Sequence, residues 1–264
     1  MNYWAKRIQK EHDTLHQASL TELQRQYVKM YQAALRDIQR DVKDLYDKIL
    51  QDSADGKIRM NDYYKYNRYF QLQNRLNQRL TELGAENIKI TEEKLLKMYD
   101  VSWQLVGEEA REYFGVDLIA DNDDAAKKAI NAIWCNDGKL WSARVWTNME
   151  QLQSRVEKGL MDSIARGVSK DELVKQLIKD FNIEFYKADR IARTELTYVQ
   201  NKSAADRYMK SGIKQYEYLA ALDDRTSEQC QKLNGKKFDF ANAKIGENMP
   251  PVHANCRCTI LPVL

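Results

Sequence analysis

The chain holds few of the residues that punctuate a fold. Among 264 residues there are 10 glycines, 3 prolines, 4 cysteines and 3 histidines, and no proline precedes Pro250. That scarcity favours long helices over a sandwich or barrel of many short strands, because frequent hairpins need frequent turn residues. No apolar run approaches the roughly 18 residues of a membrane span. The opening "MNYWAKRIQKEHDTLHQ" lacks the apolar centre of a signal peptide, so the expectation is a soluble intracellular product. Four cysteines in a chain of this length exclude a disulfide scaffold. A phosphate-binding loop, a dinucleotide fingerprint, an HExxH helix and carboxylates at metal spacing are all missing, and with them the commonest nucleotide and metallohydrolase chemistries.

What is present is charge, 31% of residues, arranged on helical periods. Residues 1–83 are basic in balance, 84–183 acidic and 184–264 mildly basic. That imbalance suits docking on charged surfaces and is too small for a dedicated nucleic-acid binder. Leu23, Tyr27, Met30, Ala34, Ile38, Val42, Leu45 and Ile49 recur at steps of three and four, which predicts one long helix from Leu20 to Leu50. "DSADGK" (52–57) ends it. A second helix is expected over 61–83, with Tyr66, Phe70, Leu76, Leu80 and Leu83 inward and Gly84 as its C-cap. The pair reads as an antiparallel hairpin. Thr91 then reads as the N-cap of a third helix carrying Leu95, Leu96, Tyr99, Trp103 and Val106 towards Phe114.

After a loop and a short helix ending at "CNDGK", Val145, Met149, Leu152, Val156, Leu160 and Ile164 mark another helix over 140–164. "SKDE" (169–172) is a capping box that opens a helix ending near Phe181, and the next runs from about Phe185 to Lys210 and stops at Gly212. The texture then changes. Residues 213–222 and 258–263 read as strands, with Pro262 on an edge. The irregular stretch between them has little core of its own and needs a staple. Its tail, "PPVHANCRC" (250–258), collects two of the prolines, two cysteines and a histidine. The expected class is mainly α: long helical hairpins, then a small α+β module with a two-strand sheet and a Cys/His-rich loop. The expected domains are an elongated helical one over 1–183 for docking and assembly, and the α+β one over 184–264.

Cys230, His253, Cys256 and Cys258 supply the ligand types of tetrahedral zinc, which folds loops that cannot stabilise themselves. Packing of unbridged thiols, or a disulfide from Cys230, are the alternatives. A catalytic thiol at Cys256, with His253 as base and Glu195 or Asp224 as orienting acid, lacks a nucleophile elbow, so no catalytic residue is assigned. Arg193 and Glu195 fall on different faces of their helix, Thr194 can bond back to it, and Arg225 can pair with Glu195. Asp224 is expected to cap the turn that follows it. His12 and His16 read as surface residues. Lys57, Arg59, Lys65, Arg68, Arg75 and Arg79 alternate with four tyrosines, a pattern that fits DNA contact, a protein-docking face or a solvated helix.

Three stretches, "RIARTELTYVQNKSAADRYMKSGI", "DDRTSEQCQKLNGKKF" and "MPPVHANCRCTI", occur in an order that resembles the C-terminal domain of phage head morphogenesis proteins, the Mu F-like minor head family. The resemblance covers about 185–264. It falls on Arg193, Thr194, Glu195, Asp224, Arg225, Thr226, Cys230, His253, Cys256, Arg257 and Cys258. Many relatives have a further cysteine three residues before the first, where this chain has Ser227, which leaves a Cys/Cys/Cys/His set. The resemblance implies a low-copy virion component, made in the host cytoplasm and residing in the head interior or at the portal vertex. The implied partners are the portal protein, capsid or scaffolding protein, and packaged DNA, with which some relatives leave the head. A DNA-binding accessory protein with a zinc-stapled module, or a thiol hydrolase, are the alternative functions.

Overall fold

The computed structural model describes residues 3–53, 60–122, 124–166 and 168–264. Long helices dominate, and a small antiparallel sheet lies near the C-terminus. The helices are α1 (Tyr3–Gln51), α2 (Met60–Tyr64), α3 (Arg68–Phe114), α4 (Ala125–Ile130), α5 (Trp141–Arg166), α6 (Lys170–Lys210) and α7 (Glu228–Leu233). The strands are β1 (Gln215–Leu219), β2 (Lys237–Asp239) and β3 (Thr259–Val263), in the order β2-β1-β3. The sheet thus has a third, short strand beyond the two expected. Pro262 sits on edge strand β3, opposite Tyr216, where its missing N–H costs no ladder bond. Among the described residues no helix is long and apolar enough to cross a membrane.

The chain forms two compact units. One takes the described residues of 25–89 and 142–188. Here α1 buries every member of its expected stripe, Tyr27 to Ile49. It runs antiparallel to α3, with Arg75–Asp41 and Arg79–Asp37 both at 3.1 Å and Asn87 donating to the Tyr31 hydroxyl at 3.2 Å. The α5 stripe from Val145 to Ile164 is buried as expected. The N-cap half of the expected capping box is present: the Ser169 hydroxyl accepts from the Glu172 amide at 3.3 Å.

Several expected helix ends do not exist. α3 passes through Gly84, because this glycine is a site of close approach and not a cap: a Cβ there would lie 2.6 Å from Trp146 Cζ3. Thr91, expected as an N-cap, is fully buried inside the same helix. α6 likewise continues past Phe181, since Leu173, Leu177, Phe181, Ala188 and Ala192 maintain one buried row. Phe70 is 54% exposed, and Tyr63, Tyr69 and Leu72 take the inner positions in its place. A 3₁₀ turn at Lys65–Asn67 breaks the expected helix and resets its phase.

The other unit comprises the described residues of 3–24, 90–141 and 189–264. Its core joins Val106 and Ala110 of α3 to Ala204 and Tyr208 of α6 and to Tyr216 and Ile260 of the sheet. The opposite sheet face offers Leu219 and Leu261 to Ala5 and Ile8 of α1. α6 ends at Gly212, φ +84°, where the Ile213 amide reaches the Tyr208 carbonyl at 3.0 Å and the Gly212 amide the Met209 carbonyl at 3.0 Å. Those two bonds make a Schellman cap. Arg207 lies flat against Gly107, stacks over Trp103 and donates to the carbonyls of Trp103 and Leu118.

Candidate metal centre

One face of α6 holds the closing segment of the chain. Thr194, Thr197 and Asn201 stand three and four residues apart and therefore point the same way. The Thr194 hydroxyl accepts from the Asn255 amide at 3.1 Å. The Thr197 hydroxyl donates to the Cys256 carbonyl at 2.6 Å, and the Asn201 amide donates to the Cys258 carbonyl at 3.0 Å. "RTELTYVQN" is therefore a strap that satisfies the backbone of "NCRC", a segment too irregular to satisfy itself. Thr194 also bonds back to the Arg190 carbonyl at 2.8 Å, as expected.

The cysteines meet on the far side of that segment. Ser227 caps α7, its hydroxyl accepting from the Cys230 amide at 3.2 Å, and so sets the first turn from which Cys230 projects. Cys230 Sγ lies 3.9 Å from Cys256 Sγ and 3.2 Å from His253 Nε2. His253 Nδ1 lies 2.8 Å from the Ala254 carbonyl, which can only accept. That contact places the ring proton on Nδ1 and leaves the Nε2 lone pair facing the sulfur. Cys230, His253 and Cys256 thus form a group that can hold a metal ion. Cys258 packs in the same buried cluster, with Tyr218, Ala220 and Val252.

The three thiols shift one another's titration in opposite directions. Hydrogen bonds from Cys256 and then Cys258 hold the Cys230 thiol far below its ordinary range. The bond with Cys230 pushes the Cys256 thiol up, and bonds with Cys230 and Cys256 do the same to Cys258. The Tyr218 hydroxyl donates to Cys230 Sγ at 3.4 Å, and burial raises the pKa of this tyrosine. The sulfurs of Cys230 and Cys256 are nearly twice as far apart as the roughly 2.05 Å of a disulfide.

Around this centre the turn "DDRTS" locks onto "CRC". Arg257 grips both oxygens of Asp223, at 2.7 and 2.6 Å, and that hydrogen bonding holds the Asp223 carboxyl down at about 2. Asp223, not Asp224, caps the turn: its carboxylate accepts from the Arg225 amide at 3.0 Å. Thr226 bonds the Ala221 carbonyl and accepts from the Asp223 amide at 2.7 Å. Arg225 pairs with Asp223 at 3.4 Å and not with Glu195, which is buried and accepts from Trp134 Nε1 at 2.9 Å. Arg193 faces the other way, 2.7 Å from Asp189.

The two N-terminal histidines are not surface residues. His12 is buried between Glu109, at 3.0 Å from Nε2, and Thr259, at 2.8 Å from Nδ1. His16 Nε2 stands 3.2 Å from both the Arg193 carbonyl and the Thr197 hydroxyl. Their partners lie 97 to 247 positions away, so nothing local in the sequence marks them. In the basic segment Lys65 is exposed, Arg68 pairs with Asp52, and Arg75 and Arg79 hold Asp41 and Asp37. Lys57, Arg59 and the side chain of Tyr66 lie outside what is described.

Comparison with known proteins bears on the same stretch. Residues 154–261 match the family model described as phage Mu protein F like protein. An uncharacterized protein of Haemophilus influenzae is 29% identical over 153 residues, 57% of this chain and 33% of that protein. The NAD(+)–arginine ADP-ribosyltransferase EFV of Enterococcus faecalis is 27% identical over 141 residues, 48% of this chain and 29% of its own. An uncharacterized protein of Methanocaldococcus jannaschii is 30% identical over 105 residues, 39% and 16% of the two chains. The chain therefore spans a third or less of the length of these relatives. No solved structure matches it. The match begins within α5, ahead of the closing motifs, and takes in the α6 strap, the capped turn and the Cys/His group together: over residues 154–261 the chain is similar to the phage Mu protein F like family.

Proposed function

We propose that the protein is a minor head protein of a tailed bacteriophage, associated with the portal during procapsid assembly, with a C-terminal module closed by a structural zinc ion. The family match over 154–261 carries the head assignment. The helical part supplies the docking faces, and the module over 184–264 acts as a small stapled head. The protein resides in the head interior or at the portal vertex, with capsid or scaffolding protein as further neighbours.

The residues present fit zinc. Two sulfurs on a tetrahedral ion with bonds of about 2.3 Å stand roughly 3.8 Å apart, close to the 3.9 Å between Cys230 and Cys256. His253 offers the third ligand with its outer nitrogen already engaged, and Cys258 is the nearby thiol that completes the set. Zinc here would add folding energy to a loop that has little regular secondary structure. Tyr218 orients the Cys230 sulfur, and Ser227 sets its turn.

Burial of Cys256 to 1% exposure favours this structural role over a thiol hydrolase, whose nucleophile must reach its substrate. The transferase activity in the name of the Enterococcus relative is not carried over, because 29% of that protein is matched. DNA contact is not assigned to the basic segment, since Arg68, Arg75 and Arg79 each hold a carboxylate of α1 or the turn after it. The test is quantitative mass spectrometry of purified heads. The protein should be present in a few copies for each portal, and its absence from heads would refute the proposal.

A further inference from the structure

We infer that the first turns of α1 and the neighbouring part of α3 form a docking groove for an acidic amphipathic helix supplied by a partner protein. The groove, about 780 Å³, is open along one side and lies between residues 3–15 and 101–108. Its floor is aliphatic: Leu15, Val101 and Leu105 are half-buried. Lys6 and Lys10 line the α1 wall, are exposed, and have no carboxylate partner among the described residues. This lack of pairing is selective. Arg7, between them, is committed to Glu11 at 3.3 Å and Glu112 at 3.1 Å and lies over the Tyr113 ring at 5.1 Å.

At the end of the groove the aromatic side chains are already assembled. Trp4 stacks on Tyr113 at 4.9 Å and meets Tyr3 edge-on at 4.9 Å, while Tyr3 remains 67% exposed. Preassembled aromatics lose little side-chain freedom on binding and commonly anchor interfaces. Charge complementarity defines the occupant. A helix lying between two helices presents apolar residues at three- and four-residue steps to the floor. Carboxylates along one flank would meet Lys6 and Lys10, and a basic residue on the other would meet Glu108. The α1 wall of about 13 residues spans roughly 18 Å, so three to four turns suffice.

Single-stranded nucleic acid fits less well. Its bases want open aromatic faces, whereas Trp4 and Tyr113 cover each other and Arg7 also lies over the Tyr113 ring. Glu108 on the α3 wall would repel a continuous phosphate chain, whereas a helix can set a basic residue against it. The groove goes beyond the head assignment and does not rest on it.

The test is fluorescence anisotropy of labelled probes titrated with the full chain at physiological salt. The probes are a synthetic helix of about 14 residues with leucines at groove spacing and glutamates on one flank, the same peptide with lysines for those glutamates, and an oligothymidine of about 20 nucleotides. The acidic peptide should bind at least about tenfold tighter than the basic one. Lys6→Glu with Lys10→Glu should reverse that preference, and Leu105→Ser should weaken both peptides, with circular dichroism unchanged in each variant. Three results would each overturn the inference: no binding of the acidic peptide, equal binding of the two peptides, or oligothymidine binding that disappears in the lysine double variant.

Discussion

Replacing Thr197 by valine keeps the side-chain shape and removes the hydroxyl on which the strap depends. Thr197 is 1% exposed, donates to the Cys256 carbonyl at 2.6 Å and shares His16 Nε2 at 3.2 Å. A buried hydrogen bond contributes about 1 kcal/mol net, and a buried acceptor left unpaired costs roughly 1–3 kcal/mol. The expected loss is therefore about 2 kcal/mol. In urea unfolding with a slope near 2–3 kcal/mol/M, the midpoint should fall by about 0.7–1 M at unchanged slope. Thr194→Val is the internal control: its bond to the Asn255 amide is half-exposed, so its loss should stay near 0.5 kcal/mol. Equal effects at the two positions, or a Thr197→Val midpoint within about 0.1 M of the parent, would refute the strap.

Other outcomes follow from the same geometry. Chelator-washed protein reloaded with zinc should retain one equivalent by mass spectrometry of the folded state, and stripping it should lower the melting temperature by roughly 10 °C. Cys230→Ser and Cys256→Ser should each lose the metal. Asp223→Asn should cost about 0.5–1 kcal/mol at neutral pH, a figure kept small because the pair is partly exposed. The folded carboxyl, at about 2, lies below the unfolded value near 3.9, so this contribution is present above about pH 4 and lost as pH falls towards 2. Parent and variant should therefore converge in acid unfolding curves. Gly107→Ala would place a methyl group against the Arg207 guanidinium and break its bonds to the Trp103 and Leu118 carbonyls, which should cost about 2–4 kcal/mol in urea titration.

The helices were legible where a single stripe persisted, as from Leu23 to Ile49 and from Val145 to Ile164, because burial on one side leaves a 3.6-residue record. Their ends were less so. Gly84 looks like a cap in sequence, yet its missing side chain serves Trp146, on another helix, and only tertiary packing shows that. The Cys/His group was legible from residue types and from the order of the closing motifs. The polar side chains that hold it were not: Thr197 and Asn201 bind carbonyls some 60 positions away, and carbonyls carry no sequence label. His12 and His16 were misplaced for the same reason. Asp223 was missed by one position, since two adjacent aspartates offer the same cap and only the reach of Arg257 distinguishes them.

The most direct test of the proposed portal association is light-scattering chromatography of this protein mixed with a portal protein encoded beside it. A stable complex of defined mass at micromolar concentration and moderate salt is the expected result. Separate elution of the two under those conditions would contradict portal association.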